Sequence, residues 1–314
     1  MSPKTSSKSQ GWGNTEGGAI GVTPLAEGLP SASRRWLDKT IQLQYLYNMF
    51  ETDSAHLGVT VLGSGSSGNA TIVHCGGEGI LIDAGFSFRE FKRRFEKSGL
   101  ADTIRLRAIL VTHEHDDHVK GLRVCADNLE LPVFTTRKCA DILRRRDSKI
   151  GHFSLIAPGG MFSVGSFSIL PFSIPHDAVD PVAFVIRKDE FKIGVATDLG
   201  NGNHVVQYEL QGCDTLVLES NHDLNLLAAS SRPWPLKQRI MGPQGHLSND
   251  ASSQLLSKII AQNTRNVILA HISHECNKVE IAEECAHKCL CSCHRDDVTL
   301  TVADQDTPIP TAWL

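Results

Sequence analysis

The stretch AILVTHEHDDHVKG, Ala108 to Gly121, packs three histidines and three acidic residues into the six positions from His113 to His118, directly after an apolar run. Imidazole and carboxylate are the donors that suit Zn²⁺ or Mn²⁺. A single buried histidine is more often a satisfied core residue than a ligand; three, interleaved with carboxylates at a strand end, reverse that preference. In extended backbone His113 and His115 point the same way, because side chains alternate across a strand. Asp117 and His118 lie where the chain turns toward a helix and can aim at a second point nearby. Polar groups packed this densely at the end of a buried strand are costly unless something compensates their burial. Two divalent cations would.

Such side chains need a scaffold that brings strand ends together. HLGVTVLG, NATIVHC and GILIDAG are short β-rich runs separated by glycine turns, which predicts antiparallel strands. FSFREFKRRFEKSGL reads as a helix closed by Gly99, LRAILVTH as a buried strand, and the segment after DDHVKG as a helix. PVFTT and KCADILRRR add a strand and a helix. A second series follows in MFSVGSFSILPFSI, PVAFVIRKDEFKIGVATD, DTLVLES and NVILAHIS, with a helix after GHLSND that Ser248, Asn249 or Asp250 can cap. Two β-rich halves flanked by helices predict an α/β fold, an αββα sandwich of two mixed β-sheets with outer helices. GSGSSG, Gly63 to Gly68, matches a dinucleotide fingerprint by letter, but a strand rather than a helix follows it. A hairpin loop is the better reading, with backbone N–H groups free to face a phosphate if the loop lies at the cleft.

The 314 residues carry a formal net charge of −4 and 41% hydrophobic residues, enough for a large core and without a basic surface that advertises nucleic acid or membrane. No apolar run reaches the roughly 18 residues of a membrane span, so the chain reads as soluble and without a membrane partner. Nine cysteines, odd in number and mostly inside apolar stretches, fit a reduced compartment. CAHKCLCSCH, Cys285 to His294, admits a separate zinc site, but it lacks a C-x-x-C pair and reads better as a helix end leading into a strand. Residues 1–55 are rich in Ser and Gly and read as a disordered or weakly structured extension, with a short helix in WLDKTIQLQYLYNMF. Arg34 and Arg35 with few acidic neighbours leave organellar targeting open beside the plainer reading of a tail on a cytoplasmic protein. Residues 56–314 are expected to form the functional domain.

HEHDDH fits the H-x-H-x-D-H signature at His113, His115, Asp117 and His118, and here the sequence resembles the metallo-β-lactamase fold superfamily. The remaining elements follow in order: LIDAG with Asp83, SIPHDAVDP with His176, GVATDLG with Asp198 and LAHIS with His271. The resemblance implies one metal on His113, His115 and His176, and another on Asp117, His118 and His271. Asp198 would bridge them, and Asp83 would orient a ligand. His274 is a rival for the last position but does not match the motif. LGSGSSGNA, ESNHD, WPLKQRI, GHLSN and TVADQDTP together look like the bacterial-type WalJ/YycJ branch, similar to a 5′ exonuclease, over roughly residues 57 to 308. Where that branch tends to read H-L-S-x-E-N-N, this chain reads HISHECN, with Cys276 in place of an asparagine.

The resemblance implies a dinuclear, metal-dependent phosphodiesterase acting on DNA or RNA ends, with Zn²⁺ or Mn²⁺ as cofactor. Expelling an alkoxide benefits from a proton donor; His246 in GHLSN, oriented by Glu219 in LVLES, resembles the corresponding pair of tRNA 3′-processing nucleases. Asp117 would bind metal or accept a hydrogen bond from the attacking water. The plainer alternative leaves Glu219 as a strand end and His246 as a helix-start packing residue. Ser66, Ser67, Asn69, His222, Lys237 and Arg239 are the candidate substrate contacts, and the runs KRRFEK and RRRDSK could add phosphate contacts, although such runs are usually solvated helix faces. Two other functions fit the same pattern: a small-molecule or cyclic phosphodiesterase, and a non-catalytic nucleic-acid-binding metal scaffold.

Overall fold

β1 (Gly58–Gly63), β2 (Ala70–Cys75) and β3 (Glu78–Ile82) form an antiparallel meander. From β3 onward pairing turns parallel, through β4 (Arg105–Leu110) and β5 (Val133–Thr136) to β6 (Phe153–Ile156). A second sheet repeats this plan. β7 (Phe162–Val164), β8 (Phe167–Ser173), β9 (Val182–Lys188) and β10 (Phe191–Ala196) pair antiparallel, then β11 (Thr215–Glu219), β12 (Asn266–Ala270) and β13 (Thr299–Val302) continue in parallel. The short β14 (Ala312–Trp313) returns to the first sheet and covers its β1 edge. This computed structural model describes residues 56–314; disorder, a short helix and targeting, the expectations for residues 1–55, lie outside them.

The apolar runs are continuous because the strands are buried on both faces. Ile80, Ile82, Ala108 and Leu110 point between the sheets, where they meet Phe184, Ile186, Val195, Val217 and Ile268. Their strand neighbours Leu81 and Ile109 point outward, onto Phe91 of α1 (Phe88–Lys97), Leu122 and Cys125 beyond the one-turn α2 (Asp116–Val119) in α3 (Leu122–Leu129), and Leu143 of α4 (Arg137–Arg146). On the other side Leu216 and Leu218 meet α5 (His204–Leu210) and α8 (Asn249–Ile259), the latter packed on α9 (Val279–Ser292). Short α6 (Leu224–Ala229) and α7 (Trp234–Met241) precede α8. The layers are therefore α/β/β/α, as the alternating helical and β-rich segments predict. Ser248 takes the N-cap of α8, accepting from Ala251 N. The Cys285–His294 run is the end of α9 leading toward β13; Cys289 Sγ donates to Ser253 O at 3.1 Å, and among the described residues these cysteines join no metal-holding group. No helix of the described residues is long and apolar enough to cross a membrane.

Strand direction positions the site. β3 and β4 run parallel, and so do β10, β11 and β12, so their carboxyl ends share an edge within each sheet. β8, two antiparallel steps from β10, runs the same way. Backbone hydrogen bonds lace the loops at that edge: Asn69 N to Asp117 O at 2.7 Å, Ala84 N to His118 O at 2.8 Å, and Gly121 N to Ala84 O at 2.8 Å. These approaches leave no space for side chains. A Cβ on Gly85 would lie 1.7 Å from Asp117 O, and one on Gly121 1.8 Å from Phe86 O.

Candidate metal centre

β4 ends at Leu110, and three residues later His113 and His115 turn toward His176, which follows β8. His113 Nε2 lies 3.0 Å from His115 Nδ1, and His176 Nε2 lies 3.3 Å from the same atom. A second group gathers Asp117, His118, Asp198 and His271. Asp198 stands between the groups. Its Oδ2 is 3.0 Å from His118 Nε2, while its Oδ1 is 3.8 Å from His176 Nε2 and 3.6 Å from His271 Nδ1. Asp117 Oδ2 faces both His118 Nε2 at 3.5 Å and His271 Nε2 at 3.6 Å.

Three of these positions share a backbone device. Asp83, Asp198 and His271 follow β3, β10 and β12 and adopt φ of 60°, 56° and 57°. Non-glycine residues rarely take this left-handed conformation, and such outliers persist where the surroundings over-determine them. Asp83 accepts from Thr112 N at 2.9 Å and Thr112 Oγ1 at 2.8 Å, and its Oδ2 lies 2.7 Å from His118 Nδ1. That contact ties down the outer nitrogen of His118 and leaves Nε2 facing the carboxylates. Gly245 O does the same for His176, 3.2 Å from its Nδ1. Glu219, fully buried at the end of β11, holds two imidazoles at once: its Oε1 is 2.8 Å from His246 Nδ1 and from His271 Nδ1. Its Oε2 accepts from Leu199 N and Leu247 N.

The donor set fits divalent cations. Asp198 Oδ2 and His271 Nε2 are buried without a hydrogen-bond partner among the described residues, the former 3.0 Å from His118 Nε2. Separations of 3.0 and 3.3 Å between imidazole nitrogens approach the edge, about 3.3 Å, of a tetrahedron whose corners lie about 2.0 Å from its centre. Burial and neighbouring imidazoles push the His113 pKa well below the ordinary value and keep that ring neutral; burial also lowers His176. Burial acts against charge on His118 and His271 too, but there Asp198, with Asp83 or Asp117 and Glu219, raises the pKa well above ordinary. The carboxylates thus demand positive charge at the inward nitrogens. A divalent cation meets that demand without a proton.

The cavity over these atoms has a volume of about 390 Å³, and its lining includes Ser66, Asp117, Arg146, His176, Arg239 and His246. Four candidate substrate contacts take different places. Lys237 is buried, donating to Ala228 O and Ser230 O, so its charge holds the end of α6. His222 is buried at 1% exposure and does not line the cavity. Asn69 is also buried and donates to Asp117 Oδ2 at 3.3 Å and Gly65 O at 3.1 Å, bracing a candidate ligand. Exposed Ser67 donates its N–H to Gln305 Oε1. Of the two basic runs, only Arg146 reaches the cavity; Arg93 pairs with Glu90 on its own helix. His274 is exposed and stands apart from the donors. Cys276 packs with Leu227 and Ile240, while Asn277 and Asn221 supply the local amides, Asn221 Nδ2 donating to His271 O at 2.9 Å. Asp177, which pairs with Arg239, carries no sequence signal beyond its place after His176.

Residues 79–272 match the family described as beta-lactamase superfamily domain. Exodeoxyribonuclease YycJ of Bacillus anthracis is 31% identical over 228 residues, covering 72% of this chain and 86% of the relative. Exodeoxyribonuclease WalJ of Streptococcus pneumoniae is 32% identical over 233 residues, covering 71% and 84%. Among solved structures, the metallo-β-lactamase fold protein YhfI of Bacillus subtilis superposes with a TM-score of 0.59 at 14% identity, covering 81% of this chain and 99% of that one.

Proposed function

Because this chain belongs to the metallo-β-lactamase fold superfamily, alongside the WalJ and YycJ exodeoxyribonucleases, and is a metal-dependent hydrolase, we propose that it removes nucleotides from the 5′ ends of DNA or RNA using a pair of divalent cations, Zn²⁺ or Mn²⁺. One observation carries this reading: Asp198 joins Asp117, His118 and His271 in one donor group and its Oδ1 lies 3.8 Å from His176 Nε2 of the other, with His246 Nδ1 3.7 Å from the same oxygen.

In this reading His113, His115 and His176 would hold one cation and Asp117, His118 and His271 the other, with Asp198 available to both. Cations bound there would supply Lewis acidity, making water a nucleophile near neutral pH and offsetting phosphate charge. Asp83, Glu219 and Asn69 fix the rings and the carboxylate from behind. His246 supplies the proton. Burial works against its charged form, but the Glu219 carboxylate at Nδ1 outweighs this and raises its pKa, which favours the protonated ring. With Nδ1 engaged, Nε2–H is the bond available to a departing alkoxide. Glu219 stays ionised, its pKa lowered against burial by His246 and His271.

The test is metal-reconstituted protein, wild type and Asp117→Ala, on single- and double-stranded DNA and RNA with 5′-phosphate or 5′-hydroxyl ends. We expect progressive release of nucleotides from the 5′ end by the wild type, and a loss of at least about a hundredfold in the variant. Turnover of bis-p-nitrophenyl phosphate with no action on any polynucleotide would mean a small-molecule phosphodiesterase. Equal activity of wild type and variant would refute the mechanism.

A further inference from the structure

We propose that a second cavity, adjoining the metal centre, seats the nucleobase of the terminal nucleotide, and that Arg239 holds the phosphate linking that nucleotide to the reacting centre. This inference rests on the nuclease reading and adds a subsite to it. The cavity, open to solvent, has a volume of about 470 Å³ and is lined by Pro175, Asp177, Asn201, Arg239, Pro243 and Gln244, with glycines between. It shares Asp177 and Arg239 with the cavity over the candidate ligands, so a ligand that spans both runs beside this pair. Its size lies within the range of small-molecule sites.

The chemistry of the walls selects the occupant. Arg239 and Asp177 are the charged side chains of the lining, and they pair through Arg239 Nε, leaving the interior near neutrality. A second phosphate has no further cation there. The rest is two proline rings, backbone and two primary amides. Asn201 Nδ2 is spent on Pro243 O at 2.8 Å, whereas the Gln244 amide makes no hydrogen bond among the described residues. Flat apolar surface with an unspent donor and acceptor at its edge complements a neutral heterocycle that carries its own donors and acceptors. Arg239 is placed to meet the backbone. Its side chain is 61% exposed, and its Nη groups hold no partner among the described residues, so they offer a fork to phosphate oxygens while Nε keeps Asp177. The cavity wall runs from Gly242 through Gly245 straight into His246, so a base seated against it also sets the loop that presents the proposed proton donor.

The experiment uses the full, metal-loaded chain and 5′-phosphorylated oligonucleotides whose terminal residue is normal or abasic, with an abasic residue deep in the strand as control and bis-p-nitrophenyl phosphate as the measure of site competence. We expect the terminal abasic substrate to raise KM by about ten- to a hundredfold, and the internal one to leave it within about twofold. Gln244→Trp, which narrows the cavity, and Arg239→Gln should lower the ratio of oligonucleotide to bis-p-nitrophenyl phosphate kcat/KM by at least about tenfold. A binding readout avoids turnover: 2-aminopurine at the terminus should change fluorescence on the Asp117→Ala chain, and less so on the Asp117→Ala, Gln244→Trp chain. Equal KM for normal and abasic ends, with polynucleotides still cleaved, would overturn the subsite and leave the nuclease reading intact. Absence of any polynucleotide cleavage, with bis-p-nitrophenyl phosphate still hydrolysed, would overturn both.

Discussion

His246 and His271 share one carboxylate oxygen of Glu219 at equal distances of 2.8 Å, yet the proposed mechanism gives them different work. The proposed proton-donor role can be tested apart from metal binding. His246→Ala should retain both metals by elemental analysis while slowing oligonucleotide hydrolysis about 10²- to 10⁴-fold. A nitrophenolate leaves without a proton, so bis-p-nitrophenyl phosphate should slow far less. The sign of the pH dependence follows from the raised pKa of His246: its proton, and with it the rate, is lost as pH rises through that pKa. The alkaline limb of kcat/KM for an oligonucleotide should therefore vanish in the variant. Equal slowing of both substrates would withdraw the assignment. His113 to His118 are legible in the sequence because so many imidazoles and carboxylates at a buried strand end are too costly without a cation between them. Glu219 as the partner of His271 is not legible, since a carboxylate ending an apolar run looks the same whether it holds one ring or two. Lys237 misleads because a lysine buried on backbone carbonyls and a lysine awaiting phosphate have the same local sequence.

At the scale of elements, apolar runs of five to seven residues identify strands such as β9 and β11, whose two-sided burial removes the alternation a half-exposed strand would show. Register stays hidden, and with it the common edge for strands drawn from both sheets; pairing between distant segments has no local signature. β2 carries a second test. His74 is buried near Trp313, ring centroids 5.0 Å apart, and desolvation lowers its pKa to about 4. The folded state thus resists a proton that the unfolded chain accepts near pH 6.5. Stability from this source is complete above about pH 6.5 and is lost as pH falls toward 4, by up to about 3 kcal/mol. Denaturant titrations at pH 7 and pH 5 should show a smaller difference for His74→Gln than for wild type. An unchanged difference would exclude His74 as the source.

At the scale of the whole molecule, the first sheet contributes Asp83, His113, His115, Asp117 and His118, and the second contributes His176, Asp198, Glu219 and His271. Cations bound there would hold the open ends of both sheets together. Chelation should lower the melting temperature and readdition restore it, since free metal at a hundred times its dissociation constant adds about 2.7 kcal/mol; a melting temperature indifferent to chelator would refute this coupling. The division also falls along the chain. An exposed loop, Pro158 to Gly160, separates β6 from β7 and so parts the two sets of donors, apart from the late return of β14. Cleaved at that loop, neither fragment would own a complete coordination shell, and reassembly of the pair in solution would become a switch thrown by the ion itself.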